Sequence, residues 1–150
     1  MRSLFLLGRA IFGGYFAYSG LRHFAETEGL SQYAGAKGVA APEAAVRASG
    51  ALLLAGGVSI LAGVKPREGL AAIIGFLVPV TMQMHRFWDV ENPEQRMNEM
   101  INFTKNFALV GAALMMTQIP EPWPDSVDEM RGEEEMYVRI GGRDLVTLPV

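Results

Sequence analysis

The chain has 150 residues, of which 50% are apolar, and it carries 13 basic and 16 acidic side chains but no cysteine. Without thiols, disulfides, thiolate metal sites, iron–sulfur clusters and a cysteine nucleophile are excluded, so any redox role depends on a bound cofactor or on a partner's groups. The net charge of −3 offers none of the basic surface that nucleic acid requires, so nucleic-acid binding is excluded as well.

Four uncharged apolar blocks dominate the sequence, at residues 10–21, 48–64, 69–84 and 106–120. None of them has the polar face of a helix on the surface of a water-soluble bundle, so lipid is the favoured surrounding. Each block reaches the roughly 20 residues of a membrane span when it is extended by a turn, past Arg9, Arg47, His85 or Lys105. The sequence therefore predicts an all-α integral membrane protein, a four-transmembrane-helix up-down bundle in residues 1–119. A soluble four-helix protein is the alternative.

The spans and loops follow one another in a simple order. Lys65-Pro66-Arg67 predicts a tight turn, because proline cannot continue a helix and restricts the residue before it. Pro79 removes a backbone donor inside the third span, so a kink is expected there. We predict spans at residues 4–24, 43–64, 68–88 and 100–119, a first loop at 25–42 and a polar loop at 89–99.

The acidic C-terminal tail, residues 120–150, begins with a proline-rich exit at 120–124. Two short runs of β-forming residues then flank Gly141-Gly142, which predicts a two-stranded hairpin within residues 136–148. A lone hairpin is marginal in water. We expect it to dock on this bundle or on another subunit, and a frayed tail is the alternative.

Polar side chains converge at one end of the predicted bundle. Up-down topology brings the end of span one, the start of span two, the end of span three and the start of span four to the same membrane face. Charged and polar groups are costly in hydrocarbon and usually face the bundle interior or a wet cavity. The candidate polar site therefore comprises His23, Arg47, His85, Lys105 and Asn106.

Other residues have structural interpretations. We predict interfacial anchors at Arg22, Arg86, Trp88 and Trp123, and close helix packing along Ser49, Gly56, Ser59 and Gly63. The two histidines are either hydrogen-bonding caps or donors to a quinone-like carbonyl. Because they have no fixed helical spacing, we predict no metal site and disfavour haem.

Short motifs spread through the chain resemble the DoxX family of small four-span membrane proteins of bacteria and archaea, over about residues 4–119. The resemblance implies a multi-pass protein of the prokaryotic inner membrane. It also implies a link to oxidoreductases, since the name-giving members look like membrane subunits of thiosulfate:quinone oxidoreductases. The motifs are Gly8-Arg9, Phe12-Gly13, Tyr18-Ser19-Gly20, Lys37-Gly38, Pro42, Gly50, Gly56-Gly57, His85-Arg86-Phe87-Trp88 and Lys105-Asn106.

Three functions remain open. The first is an accessory, non-catalytic membrane subunit of a larger redox or electron-transfer complex, which touches lipid and other subunits and uses residues 136–148 for docking. The second is a quinone-interacting oxidoreductase subunit, in which His23, His85 and Lys105 polarise a carbonyl. The third is a small transporter or channel. We expect the isolated chain not to be catalytic.

The orientation in the membrane follows the positive-inside rule only weakly. Arg2, Lys65 and Arg67 favour both termini in the cytoplasm, while Lys37, Arg86 and Arg96 lie on the opposite side and reduce the charge difference. We predict cytoplasmic termini.

Overall fold

The computed structural model describes residues 2–132 and Met136, and within them the chain is helical. Residues 127–132 form a further helical turn after the last long helix. The hairpin predicted for residues 136–148 lies outside the described residues apart from Met136. The helices are α1 (Arg2–Ala25), α2 (Thr27–Ala36), α3 (Pro42–Ala62), α4 (Pro66–Met84) and α5 (Pro93–Met116), with a 3-10 turn at Phe87–Asp89 between α4 and α5.

Among the described residues, three segments are long and apolar enough to cross a membrane: Arg2–Ala25, Pro42–Ala62 and Pro66–Asp89. They correspond to the first three predicted spans. At the position of the fourth span the structure has α5, a helix of 24 residues. Its first half is rich in charged and amide side chains. These lower the mean hydropathy of α5 below that of the three apolar segments.

Two predicted loops were wrong in part, because each contains helix. Within residues 25–42 the chain forms α2, which buries Thr27 and Ala34. Within residues 89–99 it begins α5, with Pro93 in the first turn and Asn92 as the N-cap. The Asn92 side-chain oxygen accepts hydrogen bonds from the amides of Glu94 at 3.1 Å and Gln95 at 3.0 Å. Asparagine at this position is a strong helix-start signal.

The predicted turn between α3 and α4 is present. Pro66 opens α4, and Gly63 ends α3 in the left-handed conformation with φ of 68°. The Ser59 hydroxyl donates to the carbonyls of Val64 at 2.6 Å and Lys65 at 3.0 Å. These bonds tie the last turn of α3 to two residues that connect it to α4.

Helix α1 packs against α3 through glycines. A Cβ atom on Gly57 would lie 2.3 Å from the Ala17 nitrogen, and one on Gly20 would lie 2.5 Å from the Leu54 nitrogen. Small residues allow this close approach of two backbones, which is typical of helices that associate in membranes.

The residues predicted for helix packing on α3 have three different surroundings. Gly56 faces Gly69 of α4, where an added Cβ would lie 2.8 Å from the Gly69 carbonyl oxygen. A Cβ on Gly69 would in turn lie 2.6 Å from the Ser59 hydroxyl. Gly63 forms the turn, and Ser49 faces a cavity described below. The glycines that meet α1 are on another side of α3.

The segment that follows α5, residues 120–132, folds back onto the bundle and is here called the docked segment. Its Trp123 was predicted to be an interfacial anchor, and this was wrong: the side chain is 1% exposed and packs edge-on against Phe5, with ring centroids 5.4 Å apart. Arg9 holds the segment by donating to the main-chain carbonyls of Pro124 and Asp125, both at 2.9 Å. Trp123 is therefore part of the core, together with Phe16, Leu53, Ile60, Leu70, Ile73 and Leu77.

Candidate ligand-binding cavity

A cavity of about 800 Å³ lies between α2, α3 and α4. Helices α3 and α4 touch closely near their shared turn, at Gly56 and Gly69, while towards their other ends α2 lies beside them. Most of the lining is apolar and includes Leu30, Val39, Val46, Leu52, Phe76 and Val80. A largely apolar concave site of this size, with a few polar groups, is typical of small-molecule pockets.

The cavity is open on one side. Leu52 and Met82 both line it and are 42% and 48% exposed. Leu52 lies near the middle of α3, and the exposed lining residues Gly75 and Pro79 lie in the middle part of α4. The opening therefore faces the side of the bundle rather than its end.

Pro79 shapes the wall of this cavity. It lies inside α4 and lines the cavity together with Gly75. Because proline has no amide hydrogen, the Gly75 carbonyl, four residues earlier, loses its helical donor. One backbone acceptor on the cavity wall is thus released from the helix ladder.

A network of ionic and polar groups lies at one end of the cavity, where Gln83 and His85 line it. The lining residue His85 approaches Glu99 of α5, with Nδ1 2.8 Å from Oε2. The other carboxylate oxygen of Glu99 accepts from the Lys37 ammonium at 2.5 Å. Gln83 donates from Nε2 to the Lys37 carbonyl at 2.9 Å. Glu99 therefore ties the ends of α2 and α4 to the start of α5.

The surroundings of Glu99 favour its charged form. Its side chain is 14% exposed and that of His85 is 17% exposed. Burial alone would raise the pKa of Glu99, but hydrogen bonds from Lys37 and His85 outweigh burial, and the net pKa lies below its ordinary value. A carboxylate with an ammonium partner is thus present at neutral pH.

His23 reaches the cavity from α1. Its Nδ1 lies 2.7 Å from the Ser19 carbonyl oxygen, one turn earlier on the same helix. Its ring packs edge-on against Phe76 of α4, with ring centroids 5.8 Å apart. The structure thus brings two of the five predicted polar-site residues, His23 and His85, to one cavity.

The other three residues of the predicted polar site do not line this cavity. Arg47 is exposed and pairs with Glu43 on its own helix at 3.0 Å. Lys105 is exposed and its ammonium donates to the Asn102 side chain at 3.1 Å. Asn106 is half-buried on α5. Arg47 lies on another side of α3, whereas Lys105 and Asn106 lie in the middle of α5, a helix that does not line the cavity.

The remaining predicted anchors lie at the same end of the bundle. Arg22 pairs with Glu26, and Arg86 pairs with Asp89 at 3.5 Å. Trp88 is 46% exposed and packs edge-on against Phe103 of α5. Their role as interfacial anchors stays a prediction.

Sequence reasoning missed three residues of the site: Lys37, Gln83 and Glu99. Lys37 stood in a motif of the family resemblance but had no assigned role. Glu99 was placed in a polar loop, although an acidic residue next to a span is a natural partner for a histidine that closes the preceding span. Within the described part of the chain, no three histidine or acidic side chains are grouped as a metal ion would require.

The three apolar helices, their glycine-mediated packing and the side-opening cavity define the class of a multi-pass helical membrane protein. The DoxX family model matches residues 4–86, more than half of the chain, and the chain belongs to the DoxX family. The matched region includes His23, Lys37, Gln83 and His85 and ends before α5. No curated protein and no solved structure matches the chain.

Proposed function

We propose that this protein is a membrane subunit that binds a lipophilic small molecule of the quinone class in the cavity between α2, α3 and α4. The observation that carries the proposal is the combination of apolar walls, a side opening and two imidazoles in one cavity. Specific pockets commonly orient an apolar ligand through a few polar groups of this kind.

The position of the opening supports a ligand that arrives from the membrane. In a bilayer, the side of the bundle midway along α3 and α4 faces acyl chains. An isoprenoid tail can extend through the opening beside Leu52 and Met82 while the ring lies near His23 and His85. The contact first assigned to Lys105 is not part of this proposal, because Lys105 does not line the cavity.

The exposed side of α5 favours an accessory role in a larger redox complex. We propose that residues 100–119 form a fourth span, in a prokaryotic inner membrane, with both termini in the cytoplasm. Lys105 lies six residues beyond Glu99, roughly 9 Å further along the helix. An exposed lysine beside a half-buried asparagine is costly in lipid at that depth. A neighbouring membrane subunit that covers Asn102 and Lys105 would remove that cost, and it would supply the electron-transfer chemistry.

A matched pair of substitutions tests ligand binding. Ala45 lines the cavity, whereas its neighbour Ala44 is exposed and does not. In detergent-purified protein, we expect Ala45→Phe to weaken binding of a radiolabelled short-chain ubiquinone analogue at least tenfold, because the new ring occupies the ligand volume. Ala44→Phe should bind as the unaltered protein does. Equal binding by all three proteins would refute the proposal.

A further inference from the structure

We propose that the cavity selects ligands that donate a hydrogen bond, so that it prefers a hydroxyl-bearing lipophile, such as a quinol or another phenol, over the carbonyl form. This inference rests on the proposed function, since it concerns the ligand of the same cavity. It follows from which polar atoms around the cavity already have partners. Four groups present a hydrogen-bond acceptor: the imidazoles of His23 and His85, the Gln83 side-chain amide and the Gly75 carbonyl.

The hydrogen bond of His23 fixes its tautomer. A backbone carbonyl can only accept, so the Nδ1 atom that faces the Ser19 oxygen at 2.7 Å must carry the hydrogen. In a neutral imidazole the other nitrogen then has a lone pair and no hydrogen. Nε2 of His23 has no protein hydrogen-bond partner among the described residues, and it is an acceptor.

His85 has the same tautomer for a similar reason. An ionised carboxylate only accepts, so the Nδ1 atom beside Glu99 carries the hydrogen. The Lys37 ammonium already balances the charge of Glu99, so the three groups are neutral together when the imidazole is uncharged. Arg86, next in the chain, is paired separately with Asp89. Nε2 of His85 is therefore a second acceptor at the cavity.

Two further groups add acceptors. The Gln83 amide nitrogen donates to the Lys37 carbonyl, which fixes the amide orientation and leaves its oxygen as an acceptor. The Gly75 carbonyl is released by Pro79, as described above. The hydroxyls of Tyr33 and Ser49 also line the cavity, but a hydroxyl can donate or accept and does not discriminate.

A ligand carbonyl would find donors only in the two hydroxyls and the second N–H of Gln83. A ligand hydroxyl would in addition find acceptors in both imidazoles, the Gln83 oxygen and the Gly75 carbonyl. An acceptor left without a donor in a buried site costs binding free energy, so a quinone should still bind in the cavity but less tightly than the corresponding quinol. The preference should be visible with probes that undergo no redox chemistry.

The test compares 4-nonylphenol with its methyl ether, 4-nonylanisole, which has nearly the same shape but no donor. Binding is measured on detergent-purified protein at about pH 8, where a free imidazole is neutral. Both probes also partition into detergent micelles, so the signal from the Ala45→Phe protein is subtracted as the background. We expect the phenol to bind at least tenfold more tightly than the ether.

Three variants locate the cause of the preference. His85→Phe and His23→Phe each remove one acceptor and should reduce the preference severalfold. Glu99→Gln should also reduce it, because an amide can donate to Nδ1 as well as accept and no longer fixes the tautomer. Ala44→Phe should keep the full preference.

The outcomes separate this inference from the proposal beneath it. Equal binding of phenol and ether to the unaltered protein, with loss of both in Ala45→Phe, overturns the donor preference and leaves the cavity as a ligand site. A preference that keeps its full size in both histidine variants also overturns it. If neither probe nor the quinone analogue binds, both proposals are overturned.

Discussion

At the scale of single residues, Gly63 connects the turn of the bundle to the docked segment. Its φ of 68° is in the left-handed region, which favours glycine, and an added Cβ would lie 2.4 Å from the Ser126 Cβ. Ser126 is itself fully buried and its hydroxyl accepts from the Glu129 amide at 3.0 Å. Both backbone conformation and space therefore require glycine at this position.

Substitution of Gly63 by alanine should destabilise the protein. The left-handed backbone alone costs roughly 1–2 kcal/mol for a residue with a side chain, and the contact with Ser126 adds to it. Gly111, in α5, is the control, because it has open space around it and Gly111→Ala should be neutral or slightly stabilising. Thermal denaturation in detergent measures the difference. Equal midpoints for the two variants would contradict this account of Gly63.

Glu99 should make the stability depend on pH. Its pKa is lowered in the folded protein, so its stabilising contribution is complete above the pKa of the unfolded carboxyl and is lost as the pH falls through the lower folded value. Glu99→Gln should therefore lower the midpoint of thermal denaturation near neutral pH and narrow its gap to the unaltered protein under acid conditions. A gap that stays constant down to strongly acid pH would contradict the assignment.

The histidines show what the sequence can predict at this scale. Chain position alone placed His23 and His85 at one end of the bundle, and both line the cavity. The same reasoning included Arg47, which lies on another side of α3. It also included Lys105, which lies in the middle of α5 because that helix begins at Pro93, before the predicted span. Glu99 was missed because residues 89–99 were expected to form a loop. A predicted loop does not indicate which side chains of other elements its residues will contact.

At the scale of elements, α2 and the start of α5 were the parts of the fold that sequence patterns did not predict. The segment that forms α2 contains Gly29 and Gly35, which disfavour helix in isolation. It forms because tertiary contact buries Thr27 and Ala34 against the bundle. The apolar spans were predictable because their composition determines their structure in lipid, whereas short amphipathic helices depend on what they pack against.

The docked segment is the other element whose position required the structure. Its attachment uses two kinds of arginine contact. Arg2 makes ion pairs with Asp125 at 2.7 Å and Glu129 at 3.2 Å, with an arginine side chain that is 60% exposed. Arg9 is half-buried and donates hydrogen bonds to main-chain carbonyls, so its contacts need no acidic side chain as a partner.

These contacts should differ in strength. Arg9→Met should detach the segment, since hydrogen bonds from a charged group contribute about 1.5–3 kcal/mol each. Arg2→Met, the control, removes only exposed ion pairs, which water and salt screen and which contribute little to stability. In a Trp88→Phe background Trp123 is the only source of tryptophan emission, because the chain has 2 tryptophans. A red shift of its emission is expected in Arg9→Met alone, and an equal shift in both variants would contradict the ranking.

At the scale of the whole molecule, the arrangement of the helices predicts a topology. If α5 crosses the membrane, residues before and after it lie on opposite sides. The chain has no cysteine, so single cysteines can be introduced and labelled without background. Four exposed acidic or amide positions serve for this: Glu28, Glu68, Glu94 and Gln118.

The labelling pattern should have two classes. Cysteines in place of Glu28 and Glu94, at the end where Glu99 lies, should react with an impermeant maleimide in intact cells. Cysteines in place of Glu68 and Gln118 should react only after permeabilisation, because the proposed orientation places this end in the cytoplasm. Reaction of positions 94 and 118 from the same side would show that α5 does not cross the membrane.

The central claim is that the cavity between α2, α3 and α4 is the ligand site, and photo-crosslinking tests it most directly. A quinone analogue with a diazirine on its alkyl chain would be activated in nanodisc-embedded protein, and the modified peptides identified by mass spectrometry. The account predicts modification around Leu52 and Met82, lost in Ala45→Phe and kept in Ala44→Phe. Modification centred on α5 around Lys105 and Asn106, and unaffected by Ala45→Phe, would contradict it.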